Sequence, residues 1–235
     1  MINTPKSWAD VKLFDYLKWY KAVKPWENTE NYFDKAIVNA IQHFTNVSGD
    51  DYLKMPAKDI TKAQVELSRL LQSAETTQLA RTFEIEGVKY GFIPSLDNMS
   101  YGEYLDLSTY TKENMWDNIA LVMSIMYRPI VSGTNESYLI KEYNGTDEDQ
   151  IELFTYYLTM DTVFGALSFF LHLQEDLLIA TQTYLKKLLT KMEKEGSTMN
   201  SALIKNGVDI TQLQLLQEMI SSNLTMLQLS RSISV

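Results

Sequence analysis

Acidic side chains are the residues of this sequence with the clearest capacity for chemistry. A pair of carboxylates about 5 to 9.5 Å apart can hydrolyse a glycosidic bond. The candidates are Asp50, Asp51, Asp97, Glu103, Asp106 and the run at 147–149. Most of them also have a local structural explanation, because they lie in a predicted turn, complete a capping box or open a helix. We therefore favour a structural role for them, and a carboxylate-pair glycoside hydrolase is the enzymatic alternative.

Other catalytic and metal-binding groups are scarce. The sequence has no cysteine, and its two histidines, His43 and His172, stand alone on predicted helices. A catalytic zinc needs three ligands at compatible spacing, which these histidines do not supply. Glycine-rich phosphate loops, the GxSxG nucleophile motif and a calcium-binding loop are also missing from the sequence. We predict no catalytic residue, no metal and no cofactor, and therefore a protein that is not an enzyme.

The charge balance argues against one large class of partner. The chain has 21 basic and 30 acidic side chains, which gives a formal net charge of −9. Nucleic-acid binding needs clustered Lys and Arg, so no nucleic-acid partner is predicted. The sequence contains neither a secretory signal nor a run of about 18 apolar residues. We predict no membrane partner and a cytosolic location.

Apolar residues spaced three or four apart predict the helices that position these groups. The first half of the chain has such helices over 12–23, from Asn28 to residue 44, and from near Asp59 to residue 71. Asn28 is the expected N-cap of the second helix. Ser100-Tyr101-Gly102-Glu103 predicts a capping box at the start of a further helix. Thr146 is the expected cap of the helix whose first turn holds residues 147–149.

A change of period from 3.6 to 2 at residue 82 predicts a β-hairpin over 82–93. Glu86-Gly87 supplies its turn, because glycine tolerates the positive φ of a tight reversal. Two strands alone are marginally stable, and Tyr138–Tyr143 is the expected third strand. Between them, Glu113–Tyr127 has a helical pattern that Arg128-Pro129 should end.

Two apolar stripes near the carboxyl end predict a surface for binding other polypeptides. The longest predicted helix covers 161–195, a polar connector covers 197–207, and a weakly charged amphipathic helix covers 209–229. The two stripes need cover from each other or from a partner. The predicted interface residues are Leu185, Leu188, Met192, Leu213, Leu216, Ile220, Leu224 and Leu227. Aromatic residues make up 11% of the chain, and we assign most of them to the core rather than to an interface.

Together these patterns predict a mainly α protein with a small antiparallel β-hairpin or three-stranded sheet and a long C-terminal helical hairpin. Residues 1–160 form the predicted compact domain, with its hairpin at 82–93. Residues 161–235 form the predicted long helix and the C-terminal amphipathic helix.

Several sequence blocks resemble small virion or assembly proteins of tailed bacteriophages that infect Bacteroidetes, including the crAss-like group. The similar blocks, in the order in which they occur along the chain, are Ser7–Leu13, Tyr90–Pro94, Met99–Leu107, Ala120–Pro129, Tyr138–Gly145 and Gly165–Phe170. Such proteins are often likened to tail assembly chaperones. The resemblance covers roughly residues 5–175 and carries over no functional residue.

The resemblance implies a non-catalytic phage morphogenesis protein that binds other polypeptides through apolar helix faces. Its expected partners are other phage tail or neck proteins and further copies of itself. Its expected location is the host cytoplasm during assembly, with the virion as a second location. A structural neck or tail ring subunit, retained in the virion and bound to symmetric neighbours, is the alternative within the same family.

Overall fold

The computed structural model describes residues 2–47, 49–73, 78–94, 99–112 and 115–170, together with Thr183 and Lys187. The chain divides into two units, Met1–Ala166 and Leu167–Val235. Every helix and strand described below lies in the first unit, except that the last helix continues past Ala166. Within the described residues, no helix is both long and apolar enough to cross a membrane.

Three helices form the first half of the unit: α1 (Leu13–Val23), α2 (Tyr32–Phe44) and α3 (Ala57–Gln72). Their predicted apolar stripes are buried, for example through Ile41 on α2 and Leu67 on α3. The prediction that Asn28 caps α2 is wrong. Asn28 has φ +65° and lies in a turn, and the N-cap is Asn31. An N-cap residue is typically extended, which Asn28 is not, and α2 begins three residues later than predicted.

The predicted β-hairpin is confirmed by strands β1 (Thr82–Ile85) and β2 (Val88–Phe92). They pair antiparallel with Ile85 opposite Val88. Both turn residues have positive φ, +49° at Glu86 and +79° at Gly87, as a two-residue turn of this type requires.

We expect Gly87→Ala to lower the free energy of unfolding by about 1 kcal/mol, because an L side chain is strained in this left-handed conformation. Nothing lies within 4 Å of a Cβ added there, so the cost is conformational rather than steric. Urea unfolding followed by circular dichroism measures it, with Lys89→Ala on β2 as the exposed control. Equal stabilities of the Gly87→Ala variant and the wild type would contradict the assignment of this turn.

The predicted helix at 113–127 is partly wrong. The structure has helix α5 (Ile119–Met126) followed immediately by strand β3 (Tyr127–Gly133). The predicted third strand is therefore the fourth, β4 (Tyr138–Ile140), in an antiparallel sheet of order β1-β2-β3-β4. Arg128-Pro129 does end helical structure, but the chain continues as strand. Pro129 is tolerated because it is the last residue of β3 paired with β2, and pairing with β4 starts at Ile130.

Two further helices complete the unit: α4 (Tyr101–Lys112) and α6 (Glu148–Tyr157). The predicted cap of α6, Thr146, is wrong, because the Asp147 carboxylate accepts a hydrogen bond from the Gln150 backbone N–H at 3.3 Å. A last helix starts at residue 160, and its described part reaches residue 170.

Aromatic rings fill much of the core, as predicted. One cluster joins the N-terminal helices to the last helix, through Trp8, Tyr16, Trp19, Phe44, Trp116 and Phe164. A second cluster covers one face of the sheet, through Phe83, Tyr90, Phe92, Tyr127 and Phe154. The mainly α fold class is confirmed, with a sheet of four strands. The predicted C-terminal helical hairpin lies outside the described residues.

We expect Gly91→Ala to cost about 1–3 kcal/mol of stability, the usual range for overpacking. The ring of Tyr138 crosses β3 and lies over Gly91, so an added Cβ would clash with Tyr138 Cε2. The ring cannot swing away freely, because its hydroxyl is 2.9 Å from the Phe92 carbonyl oxygen and 3.0 Å from that of Arg81.

A double-mutant cycle with Tyr138→Ala tests this contact. Removal of the ring should abolish most of the cost of Gly91→Ala. An unchanged cost in the Tyr138→Ala background would contradict the proposed clash.

Candidate functional site

A cleft of about 420 Å³ is the candidate site. It lies between the start of β3, the segment 141–147 that follows β4, and the first turn of α6. The charged and aromatic residues that line it are Arg128, Lys141, Glu142, Tyr143, Asp147 and Glu148. A concave site with a few convergent polar groups is the usual form of a binding site in proteins.

Arg128 lies at the inner end of the cleft and forms a buried ion pair. Its Nη2 donates to Glu103 Oε1 on α4, and the two side chains are 11% and 4% exposed. Burial lowers the pKa of the Arg128 guanidinium, and the Glu103 carboxylate opposes that shift. Arginine remains charged at any physiological pH, so Arg128 stays a cation in this pair.

The predicted capping box holds the acidic partner of this pair. Ser100 N donates to Glu103 Oε2 at 2.6 Å, and Glu103 N donates to Ser100 Oγ at 3.3 Å. One carboxylate therefore caps α4 with one oxygen and binds Arg128 with the other. This double use fixes Arg128 relative to the start of α4.

The aromatic ring of Tyr143 is the second group that contacts the Arg128 guanidinium. Its ring centroid is 5.7 Å from Arg128 Cζ, within the range of a cation–π contact. Its hydroxyl donates to Asp106 Oδ2, one turn beyond Glu103 on α4. Burial, and then the bond to Asp106, raise the pKa of Tyr143, so the phenol stays protonated as a donor. Arg128 is thus held between a carboxylate and an aromatic ring.

Gln150 ties α6 to the base of the cleft. Its Nε2 donates to the carbonyl oxygens of Ser124 at 3.3 Å and Tyr127 at 2.7 Å. Those carbonyls belong to α5 and to the first residue of β3, so one buried amide joins three elements. The cleft is therefore built on fixed secondary structure rather than on a loop alone.

The rim of the cleft is exposed and more acidic than its base. Lys141 Nζ is 4.0 Å from Asp147 Oδ2, at the limit of an ion pair. Glu142 and Glu148 are exposed, and neither forms an ion pair with another described residue. Both cations of the cleft thus have an acidic neighbour, and two carboxylates remain at the rim.

The structure places the predicted carboxylates in different settings. Glu103 and Asp106, three residues apart on α4, do not line the cleft but accept hydrogen bonds from its residues Arg128 and Tyr143. Asp51 pairs with exposed Lys54 at 2.9 Å, and Asp147 caps α6. Asp97 and the side chain of Asp50 lie outside the described residues. No group of three potential metal ligands occurs among the described residues.

Of the two histidines, His43 alone is among the described residues, and it does not line the cleft. His43 is half-buried on α2, and burial, more than the nearby Lys18, lowers its pKa. His172 lies outside the described residues, as do all eight predicted interface residues from Leu185 to Leu227.

Arg128, Lys141 and Tyr143 were not predicted as site residues. Arg128 was interpreted only as a helix stop, and the two others as part of a strand. No local pattern indicates that Arg128 pairs with Glu103, 25 positions earlier, or that Tyr143 bonds to Asp106, 37 positions earlier.

The chain matches no protein-family model, and no curated protein or solved structure is significantly similar to it.

Proposed function

We propose that this chain is a non-catalytic phage morphogenesis protein that binds other polypeptides, in the manner of a tail assembly chaperone. The observation that carries the proposal is the cleft at Arg128, whose inner polar groups are held in fixed positions by the protein itself. Preorganised groups lose little freedom when a partner binds, and therefore favour recognition. The sequence blocks that resemble phage assembly proteins give the partner class.

The hydrogen bonding of the two α4 carboxylates that contact cleft residues favours recognition over acid–base chemistry. Glu103 accepts from Arg128 and from a backbone amide, and Asp106 accepts from Tyr143. A glycoside hydrolase needs one carboxyl group that can give its proton to the leaving oxygen and another that acts as nucleophile or base. Glu103 and Asp106 serve the protein as acceptors instead.

Exposed apolar side chains beside the cleft support a macromolecular partner. β4 forms one edge of the sheet and leads directly into the cleft wall at Lys141. Val131 and Leu139, on β3 and β4, are 63% and 65% exposed. Apolar contacts next to fixed polar groups are the usual composition of a protein–protein interface.

Purified phage particles and coexpressed tail and neck proteins test the proposal together. We expect the chain to co-elute with at least one tail or neck polypeptide in size-exclusion chromatography. Its absence from mature particles, measured by quantitative mass spectrometry, would identify a transient chaperone. A fixed number of copies per particle would identify a retained neck or tail subunit instead.

The proposal is wrong if the chain neither joins particles nor forms a complex with any tail or neck polypeptide. It is also wrong if the purified chain hydrolyses cell-wall glycan and the paired substitutions Asp97→Asn and Asp106→Asn abolish that activity. Either result would move the chain to another functional class.

Self-association through the C-terminal stripes is a separate part of the proposal. We expect light scattering to give an oligomer for the full chain and a smaller species after removal of residues 197–235. The reason is that the stripe over 209–229 carries almost no charge and needs a cover. A soluble monomer that is unchanged by the truncation would contradict this assignment.

A further inference from the structure

We infer that the cleft at Arg128 binds an extended peptide segment with a basic side chain. A backbone carbonyl of this segment would accept from Arg128, and its Lys or Arg would meet Glu142 and Glu148. This inference rests on the proposed function and names the chemistry of the partner at that same site.

The base of the cleft has hydrogen-bond donors to spare. A guanidinium carries five N–H donors, and Nη2 of Arg128 is bonded to Glu103. Arg128 Nε is buried and has no hydrogen-bond partner among the described residues. That atom is covered by the protein, but the Arg128 side chain is 11% exposed and lines the cleft, so its remaining N–H groups can donate to an acceptor that enters the cleft.

That acceptor should be neutral rather than an anion. The Arg128 charge is already balanced by Glu103, and Asp106 lies one turn away on α4. A carboxylate ligand would add negative charge to a site that already contains acidic groups. A peptide carbonyl accepts a hydrogen bond from Arg128 without that repulsion.

The rim supplies the charge preference of the site. Lys141 lies near Asp147, whereas the exposed Glu142 and Glu148 carboxylates have no ion pair with a described residue. The chain as a whole carries a net charge of −9, which attracts cationic segments over longer distances. Charge complementarity therefore selects a basic partner segment.

The neighbouring strand offers such a segment room to continue. β4 ends at Ile140, and the cleft wall begins at Lys141. β4 is a terminal strand of the described sheet, so an extended segment that leaves the cleft can follow its open edge. Leu139 on that strand is exposed and can receive an apolar side chain.

Fluorescence anisotropy with the full-length chain tests the inference. The probes are acetylated and amidated eight-residue peptides that carry two Lys, two Glu or two Gln at the same positions. We expect the Lys peptide to bind most tightly, and its affinity to fall as salt rises from about 50 to about 500 mM.

The double substitution Glu142→Gln with Glu148→Gln should weaken binding of the Lys peptide about three- to tenfold, because it removes two partly exposed ion pairs between these glutamates and the peptide lysines. The matched control is Glu84→Gln with Glu152→Gln, which removes the same charge from exposed positions outside the cleft. Equal weakening by both variants would show that only net charge matters and would overturn the inference.

Other outcomes separate the inference from the proposed function. Equal binding of the three peptides, or binding of none, overturns the inference. If the cleft variant instead lowers the oligomeric state in light scattering, the occupant is a second copy of the chain and the inference is wrong. If the variant leaves a tail or neck complex intact, the inference fails and the proposed function stands. If the wild-type chain forms no complex with any tail or neck polypeptide, the proposed function itself is wrong.

Discussion

Glu103→Ala is expected to lower the free energy of unfolding by about 3–5 kcal/mol, the usual cost of removing one partner of a buried ion pair. The substitution leaves the charge of Arg128 buried without its carboxylate, since both side chains are almost fully covered. It also removes the acceptor of the Ser100 backbone amide at the start of α4. Urea unfolding followed by circular dichroism measures the loss.

Two further variants separate the buried charge from a general effect of removing a glutamate. Glu152→Ala on α6 is the exposed control, and it should change stability by no more than about 0.5 kcal/mol. The double substitution Glu103→Leu with Arg128→Met removes both charges and should recover most of the loss. A loss below about 1 kcal/mol for Glu103→Ala would mean that Arg128 reaches water in the folded protein.

The ion pair illustrates which part of the site can be predicted from sequence. The capping box is local, because Ser100 and Glu103 share one helix turn, and its prediction is confirmed. The bond from Glu103 to Arg128 joins residues on α4 and β3. It depends on how those elements pack, and a single sequence carries no signal of that packing.

The β-hairpin, which was predicted, and strand β3, which was not, show the same difference between local signals and long-range packing. Alternation and a glycine turn are local signals, and they predicted β1 and β2 correctly. Strand β3 begins directly after α5 and contains Pro129, which local rules interpret as a stop. Pro129 fits because of where β3 changes its pairing from β2 to β4, and that is a property of the whole sheet.

The expected location of the interface shows how composition and structure contribute differently to function. The apolar stripes predict an interface at eight residues from Leu185 to Leu227, which lie outside the described residues. The cleft at Arg128 was not predicted, because its charged groups come from β3, the segment after β4 and the start of α6. Each of these groups has an ordinary local explanation, and only their convergence indicates a site.

Phe154→Ala should also cost about 3–5 kcal/mol, because it deletes a fully buried aromatic side chain and leaves a cavity. The Phe154 ring lies 5.0 Å from the ring of Tyr90 and 5.6 Å from that of Phe83, and so attaches α6 to the sheet. Gln150, one turn earlier on α6, holds the base of the cleft. We therefore expect weaker peptide binding in the cleft as well as lower stability.

Urea unfolding and the Lys peptide assay measure the two effects of Phe154→Ala separately. Phe154→Leu keeps most of the buried volume and should lose clearly less stability than Phe154→Ala. Tyr156→Ala, on the exposed side of α6, removes a ring in contact with Phe14 and should cost about 1 kcal/mol or less. If Phe154→Ala destabilises the chain fully yet leaves peptide affinity unchanged under folding conditions, α6 is not needed to shape the cleft. In that case the binding groups must be positioned by β3 and α4 alone.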